Sequence, residues 1–130
     1  FTFITHGTED EFIQVLKLLF TSETTIERRI RFKTLYIRLH PSLSIKKMQN
    51  LIFLLKRDSR YKICKINFIN NKAESFAETL YKTKFCIFGD SSLINIALSL
   101  EMNVISFRTS YTYKPPIQKI YLKKKNLLFF

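Results

Sequence analysis

Three short stretches carry side chains that can do chemistry: Thr5-His6-Gly7-Thr8, Arg38-Leu39-His40-Pro41 and Gly89-Asp90-Ser91-Ser92. Each follows an apolar, strand-like run, and a helical pattern comes after each. Hydroxyls, an imidazole and a guanidinium grouped with small residues suit the binding of a phosphate or another oxyanion. At a strand-to-helix turn, unpaired backbone N–H groups converge with such side chains on one point. Each residue also has a plain structural use. His40, beside Pro41, can be a turn residue, and Arg38, between Ile37 and Leu39, can pair with an acid on a sheet face. Ser91 and Ser92 can simply open a helix, with Asp90 as its N-cap. A carboxylate at Asp90 repels a phosphate unless it points away. His6 has the weakest case of the group.

Several chemistries are excluded by what the chain lacks. With only two glycines, Gly7 and Gly89, far apart in the chain, neither a dinucleotide fingerprint nor a phosphate loop of the GxxxxGK[ST] kind can be written. No GxSxG elbow surrounds Ser91 or Ser92, and no acid–histidine pair suggests a hydrolase triad. No His/Cys/Asp cluster has the spacing of metal ligands. Cys64 and Cys86 sit in strand-like runs and read as two buried free thiols of a reducing compartment rather than a disulfide.

The elements that must position these turns are legible from periodicity. Phe1–Thr5 reads as a first strand, followed by a helix that opens on Glu9, Asp10 and Glu11. Its wide apolar face runs from Phe12 to Phe20. Thr34–Leu39 is a second strand, stopped by His40-Pro41. Ser42 or Ser44 can cap the next helix, whose face is Ile45, Met48, Leu51, Ile52 and Leu55. Tyr61–Ile69 reads as a third strand, and Asn70 or Asn71 as the cap of a helix carrying Phe76, Ala77, Leu80 and Tyr81. Phe85–Phe88 is a fourth strand, which Gly89 breaks by adopting backbone angles other residues avoid. A helix from Leu93 to Leu100, closed by Asn103, leads to a fifth strand at Val104–Phe107. This alternation predicts an α/β fold: an open parallel sheet of about five strands with helices on both faces. Ligands of such sheets bind outside the carboxyl ends of the strands, where all three stretches fall.

The 130 residues, 46% hydrophobic and 15% aromatic, are enough for one domain with a real core. No apolar run approaches the roughly 20 residues that cross a bilayer. The chain opens on Phe1 inside an apolar strand, and we expect it to be a piece of something longer. The domain is expected over 1–116. Residues 117–130 form a basic, aromatic tail: a helix packed back on the domain, an anchor on a membrane surface, or part of a cut interface. The net charge is +12, with twelve Lys/Arg against one acid, Asp58, between Arg28 and Lys65. Such a field attracts polyanions without choosing between nucleic acid, anionic membrane and phosphorylated ligand.

An apolar strand ending in Arg38-x-His40-Pro41, followed about fifty residues later by strand-Gly89-Asp90-Ser91-Ser92-helix, resembles the nucleotide-binding half of bacterial GT-B sialyltransferases. Capsular and teichoic-acid transferases are similar in pattern. The resemblance covers roughly residues 1–116 and implies a Rossmann-like, C-terminal donor-binding domain of a glycosyltransferase of surface polysaccharide or lipooligosaccharide synthesis. It implies that His40 and Ser91/Ser92 bind the phosphate of a CMP-activated sugar, without a metal or other cofactor. Arg38 and Gly7 join them as candidate site residues from their position alone. The partners so implied are a nucleotide-sugar donor, a glycan or glycolipid acceptor and an N-terminal GT-B domain. An anionic membrane surface at the cytoplasmic face is a further one. The family's acid/base motif has no counterpart here, since Asp10-Glu11 is not followed by Gly, so no catalytic residue is expected in this piece. Two other classes stay open: a basic α/β module that holds nucleic acid, and a non-catalytic scaffold. No RNA-binding signature or interleaved aromatic platform supports the first.

Overall fold

The computed structural model describes residues 1–5, 7–21, 33–89, 91–107, 117–118 and 121–129. In chain order the elements are β1 (Thr2–Ile4), α1 (Glu9–Phe20), β2 (Thr34–Arg38), α2 (Ile45–Lys56) and β3 (Lys65–Phe68). They continue with α3 (Phe76–Lys82), β4 (Phe85–Phe88), α4 (Ile94–Ser99), β5 (Asn103–Ser106) and β6 (Leu127–Phe129). All pairings are parallel, in the order β3-β2-β1-β4-β5-β6. The protein is thus an open, all-parallel, Rossmann-like α/β sheet.

From β1 the chain winds outward to β2 and β3, then returns to β4 beside β1 and winds the other way. Crossovers of one hand taken in opposite directions put their helices on opposite faces. Two cores result. Phe3, Leu35, Ile37, Ile87 and Ile105 meet the apolar sides of α1 and α2. Ile4, Cys86, Phe88 and Val104 meet α3 and α4 on the other face. The switch of face at each successive strand residue is the period of two at work. Among the described residues, no helix is long and apolar enough to cross a membrane.

The elements follow the sequence with local differences. Among the described residues the sheet has six strands where about five were expected, because the tail supplies β6, for which a helix was one expectation. Val104 donates its N–H to Asn126, whose side chain reaches the carbonyl of Met102, and Leu127 enters the second core. β3 starts at Lys65 rather than Tyr61, which instead forms an isolated bridge with Thr21. Ser75 caps α3 in a reciprocal box with Glu78, while Asn71 is drawn away to the carbonyl of Leu39. Thr79 and Leu80 form the buried side of α3, and Tyr81 is 92% exposed. α4 begins at Ile94, after a tight turn, and has no side-chain cap; Glu101, in the left-handed region at φ 58°, ends it. Asn103 opens β5 instead of closing the helix.

Both cysteines are free; Cys86 is buried and Cys64 half-buried. Burial pushes the Cys86 thiol from its ordinary value of 9.0 up to about 12. Burial raises Cys64 too, against weaker pulls from nearby hydrogen bonds and Lys56. A thiol that keeps its proton in the folded chain but loses it in the unfolded one makes stability fall with pH. The contribution is complete below pH ~9 and declines by about 1.4 kcal/mol per pH unit as pH rises toward the folded value. Urea denaturation between pH 8 and 11 should therefore show a shallower decline in Cys86→Ala than in the parent. Parallel declines in the two proteins would contradict this reading of the site.

Candidate functional site

The sheet order brings the carboxyl ends of β2, β1 and β4 side by side. With neighbouring strands about 4.8 Å apart, the ends of β2 and β4 lie about 10 Å from each other, with β1 between them. The direction of winding reverses here, between β1 and β4. In open sheets of this kind, the reversal of winding is where a ligand crevice forms.

The turn after β2 is built against β1. The hydroxyl of buried Thr5 accepts the N–H of His40 at 2.8 Å, and Thr5 donates its own N–H to the carbonyl of Arg38 at 3.1 Å. Leu43 closes the turn on the carbonyl of His40 at 2.9 Å. Nδ1 of His40 lies 2.7 Å from the Ser42 hydroxyl and accepts the Ser42 N–H at 3.2 Å. An Nδ1 that accepts places the proton of a neutral ring on Nε2, making that nitrogen a donor. The Ser42 hydroxyl also reaches the carbonyl of Gly7 at 3.3 Å. A Cβ at Gly7 would stand 3.3 Å from Nδ1 of His40 and 3.1 Å from the Ser42 hydroxyl. Gly7 thus lets the imidazole lie against the turn after β1.

The turn after β4 holds Ser91 and Ser92. Ser91 is buried; its hydroxyl accepts the N–H of Leu93 at 3.3 Å and its carbonyl accepts that of Ile94. Ser92 is exposed, its carbonyl bonded to the N–H of Asn95, and its hydroxyl makes no hydrogen bond among the described residues. The two serines form the turn before α4 rather than its first turn, so the donors on offer are a hydroxyl and loop N–H groups. His6 and Asp90 lie outside the described residues.

Arg38 is placed elsewhere. Its guanidinium donates to the carbonyl of Glu74 and the hydroxyl of Thr79, both at 2.9 Å, and lies over the ring of Phe76. The period of two accounts for it: His40 lies beyond the strand, whereas Arg38 shares the α3 face with Tyr36. The residue pins α3 to β2 and does not join His40.

Glu11 belongs to this end of the sheet and was not among the sequence candidates. Its side chain is fully buried, and a Cβ added to Gly89 would lie 2.2 Å from its Oε1. Gly89 has no positive φ, so glycine stands there to admit a carboxylate and not to turn the chain. The signal was present: Glu11 precedes buried Val15 by four residues and Leu19 by eight, which puts it on the inner face of α1. Glu9, Asp10 and Glu11 together suit the positive end of that helix. Three acids there also make the β1–α1 turn a poor place for a phosphate. Among the described residues, no group of three or more His, Cys, Asp or Glu could hold a metal ion.

Compared with protein-family models, with curated proteins and with solved structures, the chain matches none.

The contact between Glu11 and Gly89 should be felt in stability. Gly89→Ala is expected to cost about 1–3 kcal/mol through overpacking, and Glu11→Asp, which withdraws the carboxylate, to restore part of that loss. Gly7→Ala, facing a hydroxyl and a ring that can shift by tenths of an ångström, should cost less than about 1 kcal/mol. Denaturation of the four variants checks both, and additive losses at Gly89 and Glu11 would refute the contact.

Proposed function

We propose that the domain binds the nucleotide of an activated sugar, as the donor half of a metal-independent, sialyltransferase-like glycosyltransferase of bacterial surface polysaccharide or lipooligosaccharide synthesis. The observation that supports this reading best is the adjacency of the His40 and Ser91-Ser92 turns across β1, at the reversal of winding. The donor is a CMP-sugar. Its phosphate lies across the gap of about 10 Å between the two turns, a span suited to a nucleoside monophosphate. Nε2–H of His40 approaches from the β2 side and the Ser92 hydroxyl from the β4 side.

As the glycosidic bond breaks, negative charge grows on the departing phosphate, and fixed donors stabilise it without reorganising. Ser91 acts indirectly, holding the turn that presents Ser92. The acid/base that activates the acceptor hydroxyl comes from a companion domain, and the acceptor is a glycan or glycolipid at the cytoplasmic face of the membrane.

Calorimetric titration with CMP, CDP, UDP and GDP tests the reading. A hydrogen bond to a charged group is worth about 1.5–3 kcal/mol, so His40→Ala should weaken CMP binding by about tenfold or more. Ser92→Ala, which removes an exposed hydroxyl but leaves the loop N–H groups of its turn in place, should weaken it by less. Equal responses to the four nucleotides, or variants that bind as the parent does, would favour a scaffold. Oligonucleotide binding with a steep salt dependence and no effect of CMP would favour a nucleic-acid module.

A further inference from the structure

Helix α2 buries Met48, Ile52 and Leu55, yet its opposite side is not simply polar. Phe53 is 61% exposed and Leu54 59%. As consecutive residues they point about 100° apart, one to each side of the helix's outermost line. Lys46, Asn50, Phe53 and Arg57 recur at helical spacing along that outward stripe. Beside it runs a groove of about 260 Å³ between α2 and the edge strand β3. Ile52, Phe53, Ile66 and Phe68 line it, with Gln49 and Lys56 at its polar margin. Residues 45–72 hold eight Lys/Arg and one acid, Asp58, which Arg60 already engages. Lys46, Lys56, Arg57, Lys62 and Lys65 have no ion pair among the described residues.

We infer that the outer face of α2 and the β3 edge form a docking surface for an anionic lipid bilayer. Phe53 and Leu54 enter the boundary between headgroups and acyl chains, and the surrounding cations rest on lipid phosphates. Three features select this occupant. Apolar side chains on a convex surface need a fluid apolar medium, whereas a protein partner must supply pockets for them. The groove is apolar enough to take part of an acyl chain, for which a nucleic-acid backbone has no equivalent. A second copy of the chain would set the same cluster of cations against itself.

The surface is separate from the nucleotide site. Phe53 lies nine residues past Ser44, about 13 Å along the helix from the His40 turn. Docking there leaves the carboxyl edge of the sheet uncovered. The inference does not rest on the nucleotide reading, and the two can fail independently.

The test is co-sedimentation of the full chain with phosphatidylcholine vesicles, with and without roughly 30% phosphatidylglycerol. Binding is expected only with the anionic lipid, and is expected to fall at least about tenfold in about 0.5 M NaCl. Phe53→Gln/Leu54→Gln keeps every cation and replaces exposed positions with a good helix former. It should retain the parent's melting temperature and bind at least about tenfold more weakly, while His40→Ala should bind as the parent does. Undiminished binding by the double variant would reduce the effect to diffuse charge and overturn the inference. So would displacement of the vesicles by a single-stranded oligonucleotide that binds parent and double variant alike. Dimerisation of the parent that the double variant loses would assign the surface to a second copy instead, and equally overturn it.

Discussion

β1 is three residues long, and both halves of the sheet hang on it. Thr2, Phe3 and Ile4 pair with Tyr36, Ile37 and Arg38 on one side and with Cys86, Ile87 and Phe88 on the other. A strand with partners on both edges leaves no backbone group for water, and β1 is accordingly buried along its length. Its side chains divide between the two cores: Phe3 packs under α1 and α2, Ile4 under α3 and α4. A register slip of one residue would exchange those faces and strand Thr2 in an apolar core. Winding also reverses beside β1, which brings the turns after β2 and β4 to either side of its carboxyl end.

Charge at that end is divided between elements. The first turn of α1 is acidic, and Lys47 near the start of α2 pairs with Glu9. Further along, side-chain hydrogen bonds from Arg60 hold the Asp58 carboxyl at about 2, well below the usual range. The acid is thus committed to its own turn and does little to offset the cations around it. Glu11, in the first turn of α1, is buried against Gly89 at the end of β4. The same asymmetry leaves the outer side of α2 and the β3 edge as a field of one sign.

The order of elements was legible because each helix shows a continuous apolar face and each central strand a compact apolar run. Thr34–Leu39 and Phe85–Phe88 needed no tertiary information. β6 was harder. The tail, with Lys123, Lys124 and Lys125 before Leu127, read as a packed helix, a membrane anchor or part of a cut interface, and only the open edge of β5 makes a strand of Leu127–Phe129. Lys124 helps by reaching the carbonyl of Leu98 at the end of α4, which a sequence pattern cannot show. At the site, the three turns were recognisable from sequence, and of the two uses open to Arg38 the structure shows the one on the sheet face. Strand alternation gives its face, and only the position of Thr79 and Glu74 shows that the face is already occupied. Glu11 was hidden by its company: three acids at a helix start look like dipole chemistry, and the one on the inner face does not stand out.

Gly89 shows how one contact links the two levels. The lack of a side chain there lets Glu11 of α1 pack against the end of β4, close in sequence to the turn that carries Ser91 and Ser92. The His40 turn is set independently, by Thr5 and Gly7 of the segment after β1. Two turns fixed against one short strand by different contacts hold a constant separation without touching each other. Such preorganisation is what an oxyanion site needs, since donors that must first rearrange lose much of their value. It also leaves a ligand contacted from one side only. On the function proposed above, a second wall would come from a companion domain, and its closure would exclude water from the bound phosphate.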